Sequence, residues 1–290
     1  MRTLHPNKRE NSAWLFDAIQ GALWTADVIS FGVSLTSALL LIAAWQPRAQ
    51  PFALGWHWYA LPRVLVWSIT LLAFWPGLLS EDPINQWTQM LSNMYSDDQP
   101  AFHTLTNRVI TLVWLSPAAV ALVQIGAMAL AFGLTLRELA LLRVSKWVQA
   151  FLTALFALSP VNNLMVITLW KDVTYAIVML FLFWMLLRVW RTDGAWLRSW
   201  RALVSIGVAL AALALYRHNG APTALLILPA FLIVGQRAHW RQIAGIGGIA
   251  LVLVLLVKVG VYRALDVVPA PSWFVRQSLI HQVGAFLILN

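Results

Sequence analysis

The chain has 290 residues, of which 60% are hydrophobic and only 11% are charged, and its formal net charge is +9. This composition, with a mean hydropathy of +0.73, excludes an ordinary soluble domain and is typical of a polytopic membrane protein. The basic residues are spread over short connectors between apolar runs, which argues against nucleic acid as a partner and favours a membrane-orientation signal.

Apolar runs of about 20 residues, the length that a membrane-spanning helix needs, recur along the chain. We predict about eight spans, near residues 28–45, 62–79, 108–135, 147–165, 172–190, 202–216, 221–235 and 243–260. The third is expected to break near Ser116 and Pro117, because proline cannot donate a helical hydrogen bond. The predicted fold class is all-α, with one transmembrane domain over residues 1–290 that forms a polytopic helical bundle. Because the chain ends in an apolar run, we expect it to be truncated at its C-terminus.

The connectors between these spans divide by charge. If the chain changes sides at each span, most arginines and lysines fall on one face, which the positive-inside rule assigns to the cytoplasm. Most acidic residues fall on the other, outer face: Glu81, Asp82, Asp97, Asp98, Asp172 and Asp266. The predicted location is therefore the cytoplasmic membrane, with the acidic residues outside. The basic N-terminus conflicts with this orientation, unless residues 11–27 make an extra partial crossing or the charge signal is weak there.

A polar island at residues 75–103 separates the second and third predicted spans. It holds two acidic pairs, Glu81 with Asp82 and Asp97 with Asp98. Between the pairs, the pattern of residues predicts a short amphipathic helix with one apolar face formed by Ile84, Trp87, Met90, Leu91 and Met94. Residues 80–107 are therefore predicted as an outer loop whose helix lies on the membrane surface.

Further polar clusters fall on the same face, at Lys171 with Asp172 and in the Arg-His-Asn-Gly run at residues 217–220. Charges at the boundary of a membrane bundle are costly unless paired or solvated, which makes them functional candidates. Carboxylates and cations together suit a transfer reaction in which a carboxylate activates a hydroxyl and cations stabilise a phosphate leaving group. Each cluster also has a structural interpretation: solvated loop acids, an interfacial anchor with an acid at a helix N-terminus, a tight turn, or a hydrogen-bonded structural histidine at His103.

Carboxylates on the same face also suggest a cation site. Asp82 and Asp97 supply the oxygen ligands that Mg²⁺, Mn²⁺ or Ca²⁺ prefer. Cysteine is absent and no histidine cluster is present, so the sequence gives no support for zinc. A divalent cation such as Mg²⁺ or Mn²⁺ is one option, and the cofactor stays open.

From about residue 70 onwards, the order of these motifs resembles a bacterial branch of the GT-C superfamily of polytopic glycosyltransferases, in its N-terminal membrane part. The resemblance is carried by Trp75-Pro76-Gly77, Asp82 with Gln86-Trp87, Asp97-Asp98-Gln99-Pro100 followed by Phe102-His103-Thr104, Trp170-Lys171-Asp172, and Arg217-His218-Asn219-Gly220. Members of that branch have a histidine where this chain has Gln99. They also tend to be longer, with a further outer domain.

The resemblance implies an enzyme that moves a sugar from a polyprenyl-phosphate donor to a glycan, lipid or protein acceptor at the outer membrane face. It implies Asp82 as the general base and Asp97 as a second carboxylate or metal ligand. Lys171 and Arg217 are implied as partners of the lipid phosphate. The implied substrate-binding set also includes Asp172, His218, Asn219, His103 and Gln86.

Two other functions fit the same composition. A transporter or flippase for a lipid-linked or anionic solute would need ionisable residues near the middle of its spans. The sequence offers few polar residues there, the neutral Gln124 and the basic Lys258. A non-catalytic membrane assembly subunit would tolerate the loss of Asp82 but not large apolar changes on the spans.

Overall fold

The computed structural model describes residues 53–234 and 239–270. The predicted span at residues 28–45 lies outside these ranges. Within them the chain is all-helical, which confirms the predicted class, and its only strand-like pairings are two isolated bridges. The helices are α1 (Trp56–Ala73), α2 (Glu81–Ser92), α3 (Ala101–Ile110), α4 (Pro117–Leu141), α5 (Lys146–Leu158), α6 (Pro160–Val166), α7 (Lys171–Arg191), α8 (Trp200–Tyr216), α9 (Gly220–Val234) and α10 (Trp240–Ala264).

Three of these helices, α4, α7 and α10, are long and apolar enough to cross a membrane. A fourth crossing is possible if α5 and α6 together form one span, although they meet at a bend of 61°. Helices α8 and α9 are apolar but shorter. The described residues therefore support a membrane-embedded helical protein, and the number of spans stays a prediction.

Serine side chains define where several helices begin. The hydroxyl of Ser116 accepts a hydrogen bond from the backbone N–H of Ala118 at the start of α4, and Ser145 and Ser199 cap α5 and α8 in the same way. Ser159 caps α6, with Pro160 in the first helical position. This capped proline explains the bend between α5 and α6, because a helix entering Pro160 loses a backbone hydrogen bond.

Helix α4 lies at the centre of the bundle and packs on both α1 and α7. Its close approach to α1 depends on small residues, since a Cβ added to Gly133 would lie 2.5 Å from the carbonyl oxygen of Trp56. Small residues allow helix backbones to approach closely in membranes, where van der Waals packing replaces the hydrophobic effect. Trp67 of α1 is fully buried in this core, and its indole N–H donates to Asn163 Oδ1 of α6 over 2.9 Å.

One end of the bundle carries the polar island. The C-terminal end of α1, helices α2 and α3, and the connector between α6 and α7 all lie there. Helix α8 also ends there, at Tyr216. We call this end, with the acidic residues of α2, α7 and the loop before α3, the carboxylate end. The break predicted near Ser116 and Pro117 falls between α3 and α4, where residues 111–116 are not helical.

Candidate functional site

Two chain segments run side by side at the carboxylate end. The backbone N–H of Leu78 donates to the carbonyl of Ile167 over 3.0 Å, and the N–H of Leu169 donates to the carbonyl of Leu78 over 3.1 Å. Gly77 makes this approach possible, because its φ of +119° favours glycine and an added Cβ would lie 3.1 Å from the Ile167 oxygen. The pairing aligns the start of α2 with the start of α7.

This alignment brings Asp82 to Lys171. Lys171 Nζ lies 3.4 Å from Asp82 Oδ2, and the side chains are 19% and 51% exposed. Beside them the indole N–H of Trp170 donates to Ser80 Oγ. The same segments enclose a cavity of about 230 Å³ lined by Ser80, Glu81, Asp82, Trp170, Lys171 and Asp172. Asp82 is therefore a water-accessible carboxylate with a cation at one oxygen.

Arg217 extends this row of charges. Its Nη1 lies 3.1 Å from Asp172 Oδ1, and its guanidinium lies 5.5 Å from the centre of the Tyr175 ring. Arg217 directly follows α8 with an extended backbone, and its side chain reaches Asp172 of α7. Carboxylates and cations thus alternate from Asp82 through Lys171 and Asp172 to Arg217. All four were predicted from the sequence as candidate site residues, and the structure places them together.

Asp97 belongs to a second cluster. Its Oδ1 accepts the backbone N–H of Ala101 over 2.9 Å, and its Oδ2 accepts from Lys258 Nζ over 2.8 Å. The Asp97 backbone N–H also donates to the carbonyl of Val268 over 2.8 Å. This hydrogen bond is part of an isolated parallel β-bridge between Ser96 and Val268. Since both oxygens are engaged and the side chain is only 14% exposed, Asp97 holds α10 against the start of α3.

Sequence reasoning missed Lys258 as a partner of this site. Lys258 interrupts the apolar run of α10 within a π-helical turn, Leu256–Val261, and its ammonium lies 4.7 Å from the centre of the Tyr262 ring. The Tyr262 hydroxyl accepts the backbone N–H of Phe102 over 2.9 Å. The available signal was the spacing of Lys258 and Tyr262, which puts both on one helix face.

His103 and Gln86 form a buried pair between α2 and α3, with exposures of 0% and 3%. The distance from His103 Nδ1 to Gln86 Oε1 is 3.0 Å, which is a hydrogen bond between the imidazole and the amide. Burial, with a smaller contribution from the positive charge of Lys171, lowers the pKa of His103 to about 3. His103 is therefore a neutral imidazole, and its buried Nε2 has no hydrogen-bond partner within the described ranges.

The remaining predicted residues lie nearby with weaker contacts. His218 Nε2 lies 3.3 Å from the backbone carbonyl oxygen of Asp98, which links the end of α8 to the loop before α3. The backbone carbonyl of Asn219 accepts from the Thr223 hydroxyl over 3.2 Å. His218 and Asn219 are thus placed at the carboxylate end, beside Arg217 in the chain.

A divalent cation at Asp82 and Asp97 stays a prediction from the sequence. In the part of the chain that the structure describes, no three His, Asp or Glu side chains lie close enough to hold one ion. Asp82 and Asp97 each face a lysine, which supplies the positive charge that a cation would otherwise bring.

No protein-family model matches the chain, and no curated protein or solved structure is significantly similar to it.

Proposed function

We propose that this chain is an integral membrane glycosyltransferase of the GT-C type. It moves a sugar from a polyprenyl-phosphate donor to a glycan, lipid or protein acceptor at the outer face of the cytoplasmic membrane. The observation that supports this proposal is the row of Asp82, Lys171, Asp172 and Arg217 beside a small cavity, at the end of a bundle of apolar helices.

The proposed reaction begins at Asp82. Its carboxylate takes the proton of an acceptor hydroxyl, and the hydroxyl oxygen forms a bond to the anomeric carbon of the donor sugar. The bond between that carbon and the phosphate oxygen breaks, and the phosphate leaves with the electron pair. Half of the Asp82 side chain is exposed, so an acceptor reaches it without rearrangement of the core.

Lys171 and Arg217 stabilise the departing phosphate in this proposal. Fixed cations lower the barrier when negative charge develops on a leaving group, and charge-assisted hydrogen bonds to phosphate are the strong ones. In the described structure each cation faces a carboxylate, Asp82 or Asp172. The donor phosphate takes the place of these carboxylates as the partner of the cations, which leaves Asp82 free to accept a proton.

The volume of the cavity fits a site that binds only the polar part of a lipid-linked donor. About 230 Å³ is below the roughly 300–1,000 Å³ of pockets that enclose whole drug-sized ligands. The cavity therefore accommodates a small polar head, while a prenyl chain stays in the lipid beside the apolar helices.

Membranes that contain the full chain and a radiolabelled polyprenyl-phosphate sugar test this proposal. We expect Asp82→Asn and Arg217→Ala each to reduce transfer to lipid, glycan or protein acceptors by at least roughly tenfold, about 1.4 kcal/mol of barrier. Asp266→Asn and Arg263→Ala are matched controls, because both residues are exposed near the same end and form no side-chain hydrogen bond or ion pair within the described ranges. Transfer that persists in both site variants would favour a non-catalytic role.

A further inference from the structure

An exposed apolar surface flanks the carboxylate end. It consists of two non-helical segments, the residues that follow α1 and the connector between α3 and α4. We call it the apolar ridge, formed by Phe74, Trp75, Leu112, Val113, Trp114 and Leu115. Val113 is 95% exposed and Leu112 is 69% exposed, while the rings of Trp75 and Trp114 lie 5.8 Å apart and join the two segments. A contiguous apolar surface of this kind is unfavourable in water and marks a site of contact with lipid or protein.

The backbone of the ridge limits how deep in a membrane it lies. The N–H groups of Val113, Trp114 and Leu115 have no hydrogen-bond partner within residues 53–234 and 239–270. In the hydrocarbon core each such group would cost several kcal/mol, so exposed irregular backbone is not found there. Apolar side chains on an unpaired backbone fit the boundary between headgroups and acyl chains, where tryptophan is also enriched.

Arg108 lies next to the ridge, in the last turn of α3. It is half-buried, and its guanidinium forms no hydrogen bond or ion pair in the part of the chain that is described. The following residue, Val109, is 65% exposed. An arginine without a carboxylate, beside side chains that favour lipid, is suited to a phosphate at headgroup level, because its planar fork binds phosphate oxygens in pairs.

We infer that the apolar ridge and Arg108 form a docking surface for the lipid leaflet at the carboxylate end. The ridge side chains enter the upper acyl region, and Arg108 binds the phosphate of an anionic phospholipid. The chain that leaves the ridge at Trp75 continues to Ser80, which lines the cavity, so the docked leaflet holds its phosphates near the level of the site. This inference does not depend on glycosyl transfer.

Single cysteines test the inference cleanly, because the chain has none of its own. We would label Val113→Cys with an environment-sensitive fluorophore in nanodiscs of phosphatidylcholine and phosphatidylglycerol. Lipids with a nitroxide near the headgroup should quench this label several-fold more than lipids with a nitroxide at the end of the acyl chain. The control is Ser92→Cys, an exposed polar position at the end of α2, which should respond mainly to a water-soluble quencher. Equal behaviour of the two labels would overturn the inference.

A second arm tests Arg108 separately. Phosphatidylglycerol that carries the shallow nitroxide should quench the Val113→Cys label several-fold more than phosphatidylcholine with the same nitroxide. Arg108→Gln should remove this preference, and Arg108→Lys should keep part of it. If the two lipids quench equally in the protein with Arg108 intact, the assignment of Arg108 to an anionic phospholipid is wrong, even where the depth measurement holds.

Discussion

His103 is a buried imidazole whose charge state follows from its surroundings. Its pKa falls from 6.5 to about 3 because burial opposes the charged form and Lys171 repels it. The unfolded chain therefore binds a proton below about pH 6.5, while the folded chain does not until about pH 3. As the pH falls from 6.5 to 3, the free energy of unfolding therefore decreases. Above pH 6.5 His103 is neutral in both states and causes no such loss.

We predict that the protein loses stability as the pH falls from 6.5 towards 3, by up to about 1.4 kcal/mol for each unit of pH. His103→Gln should flatten this dependence, because glutamine hydrogen-bonds without titrating. Thermal unfolding in detergent at a series of pH values measures it, with His218→Gln as the control, since His218 is exposed. A pH dependence that His103→Gln leaves unchanged would show that other groups cause it.

Asp82 and Asp97 differ in how many hydrogen bonds their carboxylates accept and in how exposed they are. Asp97 has both oxygens bonded and little exposure, whereas Asp82 is half exposed and paired over a longer distance. We predict that Asp97→Asn lowers the free energy of unfolding by about 1–3 kcal/mol, because it weakens a partly buried charged hydrogen bond. Asp82→Asn should change it by less than about 0.5 kcal/mol. Chemical denaturation of the two variants checks this, and equal losses would contradict it.

Individual candidate residues could be recognised in the sequence where charge stood out against an apolar background. Asp82, Lys171, Asp172 and Arg217 could be identified in this way, although their pairing could not. The structural role of Asp97, which joins α10 to the start of α3, was not predictable from the sequence, because its partners Lys258 and Val268 lie far along the chain. Sequence patterns report local periodicity, and such long-range contacts depend on how the helices pack.

At the scale of elements, backbone hydrogen bonds between the segments that precede α2 and α7 set the relative position of these two helices. Leu78 pairs with the segment at residues 167–169, and Gly77 permits the close approach. The helices could be predicted from their apolar runs, but the bend between α5 and α6 was not. Pro160 carried that signal, within a run that otherwise predicted one span.

The contact between Ser96 and Val268 predicts that α10 ends against the loop before α3. We expect a Ser96→Cys, Val268→Cys double variant to form a disulfide readily, since bridged backbone positions lie within the Cα separation that a disulfide needs, about 4.4–6.8 Å. Because the chain has no cysteine, altered mobility on a non-reducing gel reports this bond alone. The control pairs Val268→Cys with Ser92→Cys on α2. Comparable cross-linking of the two pairs would mean that the end of α10 is not held at Ser96.

At the scale of the whole molecule, the distribution of polar groups suits a protein embedded in a membrane. The carboxylate end combines paired charges, a small cavity and the apolar ridge. Arg191 pairs with the buried Glu138 where α4 and α7 end, at the other end of the bundle. Composition alone predicted the all-helical class, because apolar runs of this length leave few alternatives. Orientation in the membrane stays a prediction from the distribution of arginine and lysine.

The most direct test of the central claim is the rate of the transfer step in purified full-length protein, measured in a single turnover at saturating polyprenyl-phosphate sugar. The account predicts that Asp82→Asn slows this step by at least roughly tenfold, about 1.4 kcal/mol, with little change in donor affinity, because Asp82 acts on the acceptor proton. Asp266→Asn should leave the rate unchanged. An Asp82→Asn variant that transfers sugar at the normal rate would contradict the claim that this row of charges is a catalytic site.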